Sequence, residues 1–311
     1  MFTGVATALA TPFRDGSVDW VAWERLLEHQ RSGGVSAVVV LGTTGEAPTV
    51  DKAERRALVE SAVAHLKGRL PVVVGTGSYD TRQARALTEE AALMGADAAL
   101  VVTPYYNKPP QEGLRRHFLA VAEVGLPVIL YNVPGRTGVN LQPETVLRIA
   151  EEAPQVVGIK ESAGSLAQME RLLALLRPAR PEFRIYSGDD DLAFYAYLAG
   201  ADGLISVLAN VAPEQAQTLF RLVQEGQLRQ AQTLQARLLP LARALFMEAN
   251  PIPVKYALSL LGIGTEEVRL PLVPASAETR RAVGEALRAL GLTPAPVSSP
   301  GQADDGQHHG L

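Results

Sequence analysis

Short apolar runs recur along the chain, with polar stretches of helical spacing between them. The runs are Val5–Leu9, Val35–Leu41, Leu70–Val74, Ala98–Val102, Pro127–Tyr131, Val156–Ile159, Phe183–Tyr186 and Gly203–Val207. Each is rich in Val, Ile, Leu or Ala and flanked by Gly, Pro or Asp. That is the pattern of strands buried on both faces of a parallel sheet. The intervening segments predict helices over Asp51–Leu66, Thr81–Met94, Glu112–Val124, Pro143–Glu151, Ser165–Leu176 and Leu192–Leu198. Asp51 at an N-cap with Glu54 three residues on has the spacing of a capping box, and Gly68 follows the expected end. The repeating unit is strand then helix, roughly 20–35 residues per step. Eight such units predict an α/β fold, the closed (β/α)8 TIM barrel. A doubly wound open sheet is the alternative, because periodicity does not decide closure.

Beyond about residue 224 the strand signals stop. Gly226–Glu248 reads as a long helix with Leu228, Leu234, Leu238, Leu241 and Leu245 near one face, and Pro240 is expected to kink it. Ile252–Leu261 and Ala277–Leu290 read as further helices. The expected organisation is a barrel over residues 1–224 and a C-terminal helical extension over 225–292. From Thr293 the chain is Pro, Ser, Gly, Asp and His with little to bury, so 293–311 is expected to be a disordered tail. The pair His308–His309 in that tail reads as incidental, not as a metal site.

Composition narrows the chemistry. The chain has 311 residues, 47% of them hydrophobic, enough for a sizeable core. A net charge of −4 implies no strongly basic face, which argues against nucleic acid as a partner. The absence of cysteine removes disulfides, thiolate nucleophiles and thiolate metal sites, and suits a reducing cytoplasm. Met1–Arg14 lacks the pattern of a signal peptide, and no apolar run is long enough to span a bilayer, so no membrane association is expected. The five histidines, at 29, 65, 117, 308 and 309, do not fall at metal-ligand spacing on strand ends. Zinc-protease, phosphate-loop and nucleophile-elbow motifs are absent too, and Gly75-Thr76-Gly77 is too short for a dinucleotide site.

Barrel active sites lie at the carboxyl ends of the strands, so the chemistry is expected at those ends. They carry Gly42-Thr43-Thr44-Gly45-Glu46, Gly75-Thr76-Gly77-Ser78, Thr103-Pro104-Tyr105-Tyr106-Asn107, Tyr131-Asn132-Val133-Pro134-Gly135-Arg136, Gly158-Ile159-Lys160-Glu161, Ser187-Gly188-Asp189-Asp190 and Ile205-Ser206. Lys160 ends an otherwise apolar strand, where burial disfavours ammonium and a neutral amine can attack a ketone. The plain alternative is a strand-end lysine that reaches solvent or pairs with Glu161. Tyr131 ends the preceding strand, should lie beside Lys160, and has a phenol suited to proton relay. An aromatic plug over the barrel end is its plain alternative. Backbone N–H groups of the Gly42–Glu46 loop suit a carboxylate, and Arg136 suits a bidentate clamp on a second one, although in isolation it reads as a surface arginine.

In combination these motifs resemble the dihydrodipicolinate synthase family. They are Gly42–Glu46, Thr103–Pro109, Tyr131–Gly138, Gly158–Glu161 and Asn250–Lys255, with the likeness running from about residue 2 to about residue 290. The resemblance implies that Lys160 is the Schiff-base lysine and Tyr131 the proton-transfer phenol, with Thr43 linking it to Tyr106. It implies that Thr44 and the Thr43 backbone hold the pyruvate carboxylate, and that Arg136 positions the carboxylate of L-aspartate 4-semialdehyde. Gly188 and Ile205 would line the pocket through their backbone. It further implies a homotetramer in which Tyr106 reaches a neighbouring subunit's site, and no metal or organic cofactor. Related pyruvate lyases, including N-acetylneuraminate lyase and sugar-acid aldolases, share the lysine and tyrosine. The two threonines at 43 and 44 and the arginine at 136 argue against them. A non-catalytic carboxylate-binding barrel is disfavoured because Lys160, Tyr131, Thr43 and Tyr106 are all present.

The chain departs from the family's lysine-inhibited members. The positions matching their effector site are Ala47, Pro48, Lys52, Arg55, Tyr79, Gln83 and Tyr105. Gln83 stands where an acid would meet the ammonium group, and Lys52 and Arg55 add positive charge where a cation must bind. Lysine is expected to inhibit weakly or not at all.

Overall fold

A computed structural model describes residues 1–292. Its strands are β1 (Gly4–Ala8), β2 (Phe13–Arg14), β3 (Ser17–Val18), β4 (Ala37–Val40), β5 (Val72–Gly75), β6 (Ala98–Val102), β7 (Val128–Asn132), β8 (Val156–Glu161), β9 (Arg184–Ser187) and β10 (Gly203–Ser206). Eight of them close into a barrel in the order β1-β10-β9-β8-β7-β6-β5-β4, while β2 and β3 form a separate antiparallel hairpin. Every barrel pairing is parallel, and β1 closes the ring by pairing with both β10 and β4. The open-sheet alternative is thereby excluded.

The helices are α1 (Trp20–Ser32), α2 (Lys52–Leu66), α3 (Thr81–Leu93), α4 (Gln111–Ala122), α5 (Pro134–Thr137), α6 (Pro143–Glu152), α7 (Leu166–Ala179), α8 (Ala193–Ala199), α9 (Pro213–Gln224), α10 (Leu228–Ala244), α11 (Ile252–Leu260) and α12 (Ala277–Ala289). The predicted capping box opens α2: the Asp51 side chain accepts from the Glu54 N–H, and Glu54 accepts from the Asp51 N–H. The hairpin, α1, α5 and α9 are additions to the predicted set. Helix α10 is shorter than expected at both ends and carries Pro240 within a continuous helical assignment. The tail from Thr293 lies outside the described residues.

Strand alternation sorts the side chains into two layers. Ala6, Ala8, Ala37, Val39, Val73, Ala98, Leu100, Ile129, Tyr131, Tyr186 and Ile205 fill the barrel interior. Small residues on β1, β4 and β6 leave room for the large Tyr186, whose ring stacks on Phe2 at 4.3 Å and whose hydroxyl donates to the Phe2 carbonyl at 2.8 Å. The outward residues, such as Val38, Val40, Val128, Leu130 and Ile159, pack with the surrounding helices. A second apolar cluster joins β10, α8 and α9 to α10, α11 and α12, so the C-terminal helices continue the barrel's core.

Candidate active site

At the carboxyl end of the strands the chain encloses a cavity of about 90 Å³. Drug-sized sites run to about 300–1,000 Å³, so this one suits a molecule of a few heavy atoms. Thr43, Thr44, Tyr131, Arg136, Lys160 and Gly188 all line it. Six of the eight expected site residues are therefore brought together.

Their placement follows from register. Tyr131 on β7 is opposite Lys160 on β8, so both point inward from the same rung. Lys160 is 6% exposed, and its Nζ lies 4.3 Å from the centre of the Tyr131 ring. Lys160 neither reaches solvent nor pairs with Glu161. Glu161 faces outward, where it accepts from Asn132 Nδ2 and Gln168 Nε2, each at 3.1 Å, and from the Ala163 N–H at 2.8 Å. Burial pushes its carboxyl above the ordinary value, against those donors. This outer cluster fixes the end of β8 and with it the base of the Lys160 side chain.

The Gly42–Glu46 loop is held from behind by the C-terminal helices. Asn250 Nδ2 donates to Thr44 Oγ1 at 2.9 Å. Lys255 Nζ lies 2.6 Å from Glu46 Oε2, the two side chains being 1% and 2% exposed. The Arg269 N–H donates to the other Glu46 oxygen at 3.1 Å. Gly75 lets this loop approach: a Cβ there would come 2.1 Å from the Leu41 carbonyl oxygen. Arg136 stands on α5 at the cavity mouth, donating to the Asn250 carbonyl at 3.3 Å. Asn250 thus touches both the threonine loop and the arginine. In the sequence it is only the start of the Asn250–Lys255 motif.

Two expected residues fall outside the cavity. Ile205 on β10 is fully buried in the barrel interior, and Val207 lines the cavity in its place. Tyr106 is 92% exposed with φ 71, and among the described residues it makes no hydrogen bond to Thr43 or Tyr131. Several further residues line the cavity without an expected role, among them Ser162, Asp189 and Phe246. Burial pushes the Asp189 carboxyl up to about 6, helped by Asp191 and opposed by the Gly164 N–H and by Lys160. Next to it, buried Asp190 accepts from Ser206 Oγ at 2.5 Å and from the N–H groups of Val207 and Leu208 at 2.9 and 3.0 Å. Asp190 thereby ties the β9 end to the β10 end and fixes the far wall of the cavity.

A closed parallel barrel with a buried lysine beside a phenol at its catalytic end is the frame of a Schiff-base-forming lyase. Residues 1–290 match the Dihydrodipicolinate synthetase family. The 4-hydroxy-tetrahydrodipicolinate synthase of Kosmotoga olearia is 50% identical over 94% of this chain and 99% of its own length. That of Thermotoga neapolitana is also 50% identical, over 94% of this chain and all of its own. The crystal structure of dihydrodipicolinate synthase from Thermotoga maritima superposes with a TM-score of 0.93 at 47% identity, covering 94% of this chain and 99% of that one. The chain belongs to the dihydrodipicolinate synthase family.

Proposed function

We propose that this protein is a 4-hydroxy-tetrahydrodipicolinate synthase, which condenses pyruvate with L-aspartate 4-semialdehyde in the diaminopimelate route to lysine. The observation that carries this reading is the pairing of buried Lys160 with Tyr131 across from Thr43, Thr44 and Arg136 in one small cavity. Lys160 nitrogen adds to C2 of pyruvate, and loss of water from the carbinolamine leaves an iminium ion. Loss of a C3 proton gives the enamine, whose carbon attacks the aldehyde while the aldehyde oxygen takes up a proton. The amino group of the joined chain then attacks the iminium carbon, closes the ring and frees Lys160. Tyr131 is the proton carrier, Thr44 and the Thr43 backbone hold the pyruvate carboxylate, and Gly188 leaves room for the adduct. Arg136, tethered to Asn250, meets the carboxylate of the second substrate.

Tyr106 completes the relay from a neighbouring subunit. A tyrosine 92% exposed, next in sequence to Tyr105, whose ring meets half-exposed Tyr79 edge-on at 5.4 Å, supports that role, and with it a homotetramer. The reading assigns the protein to the cytoplasm. It also divides the chain into a catalytic barrel over 1–224 and a helical region over 225–292 that backs the threonine loop.

Lysine is a poor inhibitor in this account. Arg55 is buried and donates to the Gly75 carbonyl, and burial pushes its guanidinium below the ordinary value. Gln83 is engaged by Ser78 Oγ at 2.6 Å, and Lys52 lies 3.1 Å from Glu90. An incoming cation would meet these charges at the expected effector positions. Half-inhibition below about 1 mM lysine, near −4 kcal/mol of binding, would contradict this.

A coupled assay tests the reaction: pyruvate and aspartate semialdehyde are supplied, and the product is followed through an NADPH-consuming reductase. Turnover that falls at least about 100-fold in Arg136→Ala supports both the reaction and the clamp. No turnover while pyruvate still forms an adduct on Lys160 would leave the barrel chemistry standing and refute the aldehyde, pointing to a sugar-acid substrate.

A further inference from the structure

Ser162 is one of the lining residues that the expected chemistry leaves unexplained. It lies two residues beyond Lys160, on the same inward face by strand alternation, and its N–H donates to the Asn132 carbonyl at 2.8 Å. Its side chain lines the cavity, yet its Oγ is buried without any hydrogen-bond partner among the described residues. Of the other strand-end hydroxyls, Ser206 is engaged with Asp190 and Thr44 with Asn250, while Thr103 Oγ1 is also buried without a partner but does not line the cavity. A buried hydroxyl with no partner costs folding free energy, so its persistence in a ligand site points to a partner that arrives with the ligand.

Its position says which part of the ligand. A Cβ built on Gly188 would lie 1.7 Å from Ser162 Oγ and 2.8 Å from Lys160 Cε. The hydroxyl is therefore a close neighbour of the carbon that carries the reactive nitrogen. Once Lys160 adds to a ketone, the atoms nearest that nitrogen are the ketone carbon and its oxygen.

We propose that Ser162 donates a hydrogen bond to the C2 oxygen of the pyruvate bound to Lys160, stabilising the charge that develops there as the amine adds and as the oxygen departs. The step rests on the Schiff-base reading above. In it, nitrogen forms a bond to C2, the carbonyl π pair moves to oxygen, nitrogen gives up a proton, and oxygen takes one. The C–O bond then breaks, its electron pair and a second proton leave as water, and the nitrogen lone pair forms the C=N bond. Tyr131 carries the protons, and Ser162 gives up none. A preorganised donor aimed at developing charge in a water-poor cavity acts through the barrier, not only through affinity.

The test is Ser162→Ala in the full-length protein, with three readouts. The rate of imine formation with pyruvate, from quenched borohydride trapping, is expected to fall about tenfold or more. Exchange of the C3 protons in deuterated water, normalised to imine present, is expected to stay at the wild-type rate, because that step involves no C2 oxygen. The thermal midpoint without ligand is expected to be unchanged or higher, since the variant deletes an unpaired buried hydroxyl. Wild-type imine formation in the variant would overturn the proposal. So would slowed imine formation accompanied by a lower midpoint and slowed exchange, the pattern of a packing defect. Failure of the wild-type protein to trap pyruvate would instead refute the Schiff-base reading itself.

Discussion

Removing Lys255 tests how far the C-terminal helices build the active site. Its ammonium meets Glu46 at 2.6 Å with both side chains almost wholly buried, and it stacks 4.1 Å from the Phe13 ring. Burial pushes the lysine below its ordinary value, against the attraction of Glu46. Such a pair adds little over an apolar replacement of both members, because desolvation offsets the attraction. Losing one member is different, since a buried charge is left alone, at about 3–5 kcal/mol. Lys255→Met should therefore lower the thermal midpoint by about 6–10 °C, taking about 2 °C per kcal/mol for a chain of this size. Glu46→Gln should cost a similar amount. The double variant should recover more than half of the sum, which a double-mutant cycle on midpoints reads directly. Function should move as well. Glu46 ends the loop that presents Thr43 and Thr44, so Lys255→Met should raise the KM for pyruvate more than it lowers kcat. Additive losses in the cycle, or an unchanged KM, would refute the claim that this pair holds the carboxylate cradle.

Gly188→Ala should cost about 1–3 kcal/mol of stability by overpacking, with adduct formation at least about tenfold slower, because the new methyl meets Ser162 and Lys160. Adding Ser162→Ala should return part of the stability, which melting curves of the two variants would reveal. Asp189→Asn should change the pH dependence of stability in a fixed direction. A carboxyl raised from 3.8 to about 6 binds its proton more tightly in the folded state, so it favours folding less as pH rises through that window. The variant should exceed wild type by about 1–2 kcal/mol at neutral pH, after discounting for partial exposure, with the gap closing as pH falls toward 3.8. A gap that is constant with pH, measured by denaturant titration, would sink the assignment.

The strands and the paired tips of β7 and β8 were legible because both depend on local pattern: apolar runs, period-two alternation and polar residues at strand ends. Tyr131 beside Lys160 followed from strand order alone. Helix α1 was harder to see, because exposed Trp20 and Val21 and buried Gln30 break the expected apolar stripe. Gln30 is satisfied by distant groups, accepting from Thr7 Oγ1 at 2.6 Å and donating to the Asn210 carbonyl at 3.3 Å. Helix α9 was obscured by its place, since Pro213–Gln224 falls at the boundary where the repeat gives way to helices. Asn250 and Lys255 act across more than 200 residues of sequence, and no local period reports such contacts. Ser162 was within reach: the alternation that turns Lys160 inward also turns Ser162 inward. Tyr106 is the converse case, a residue whose expected role needs a surface that one chain does not supply.

Borohydride reduction in the presence of pyruvate, followed by peptide mass mapping, tests the central claim that Lys160 carries the substrate. One stable adduct is expected on the peptide containing Lys160, absent in Lys160→Ala. An adduct that persists in that variant, or that maps to Lys255 or another lysine, would contradict it.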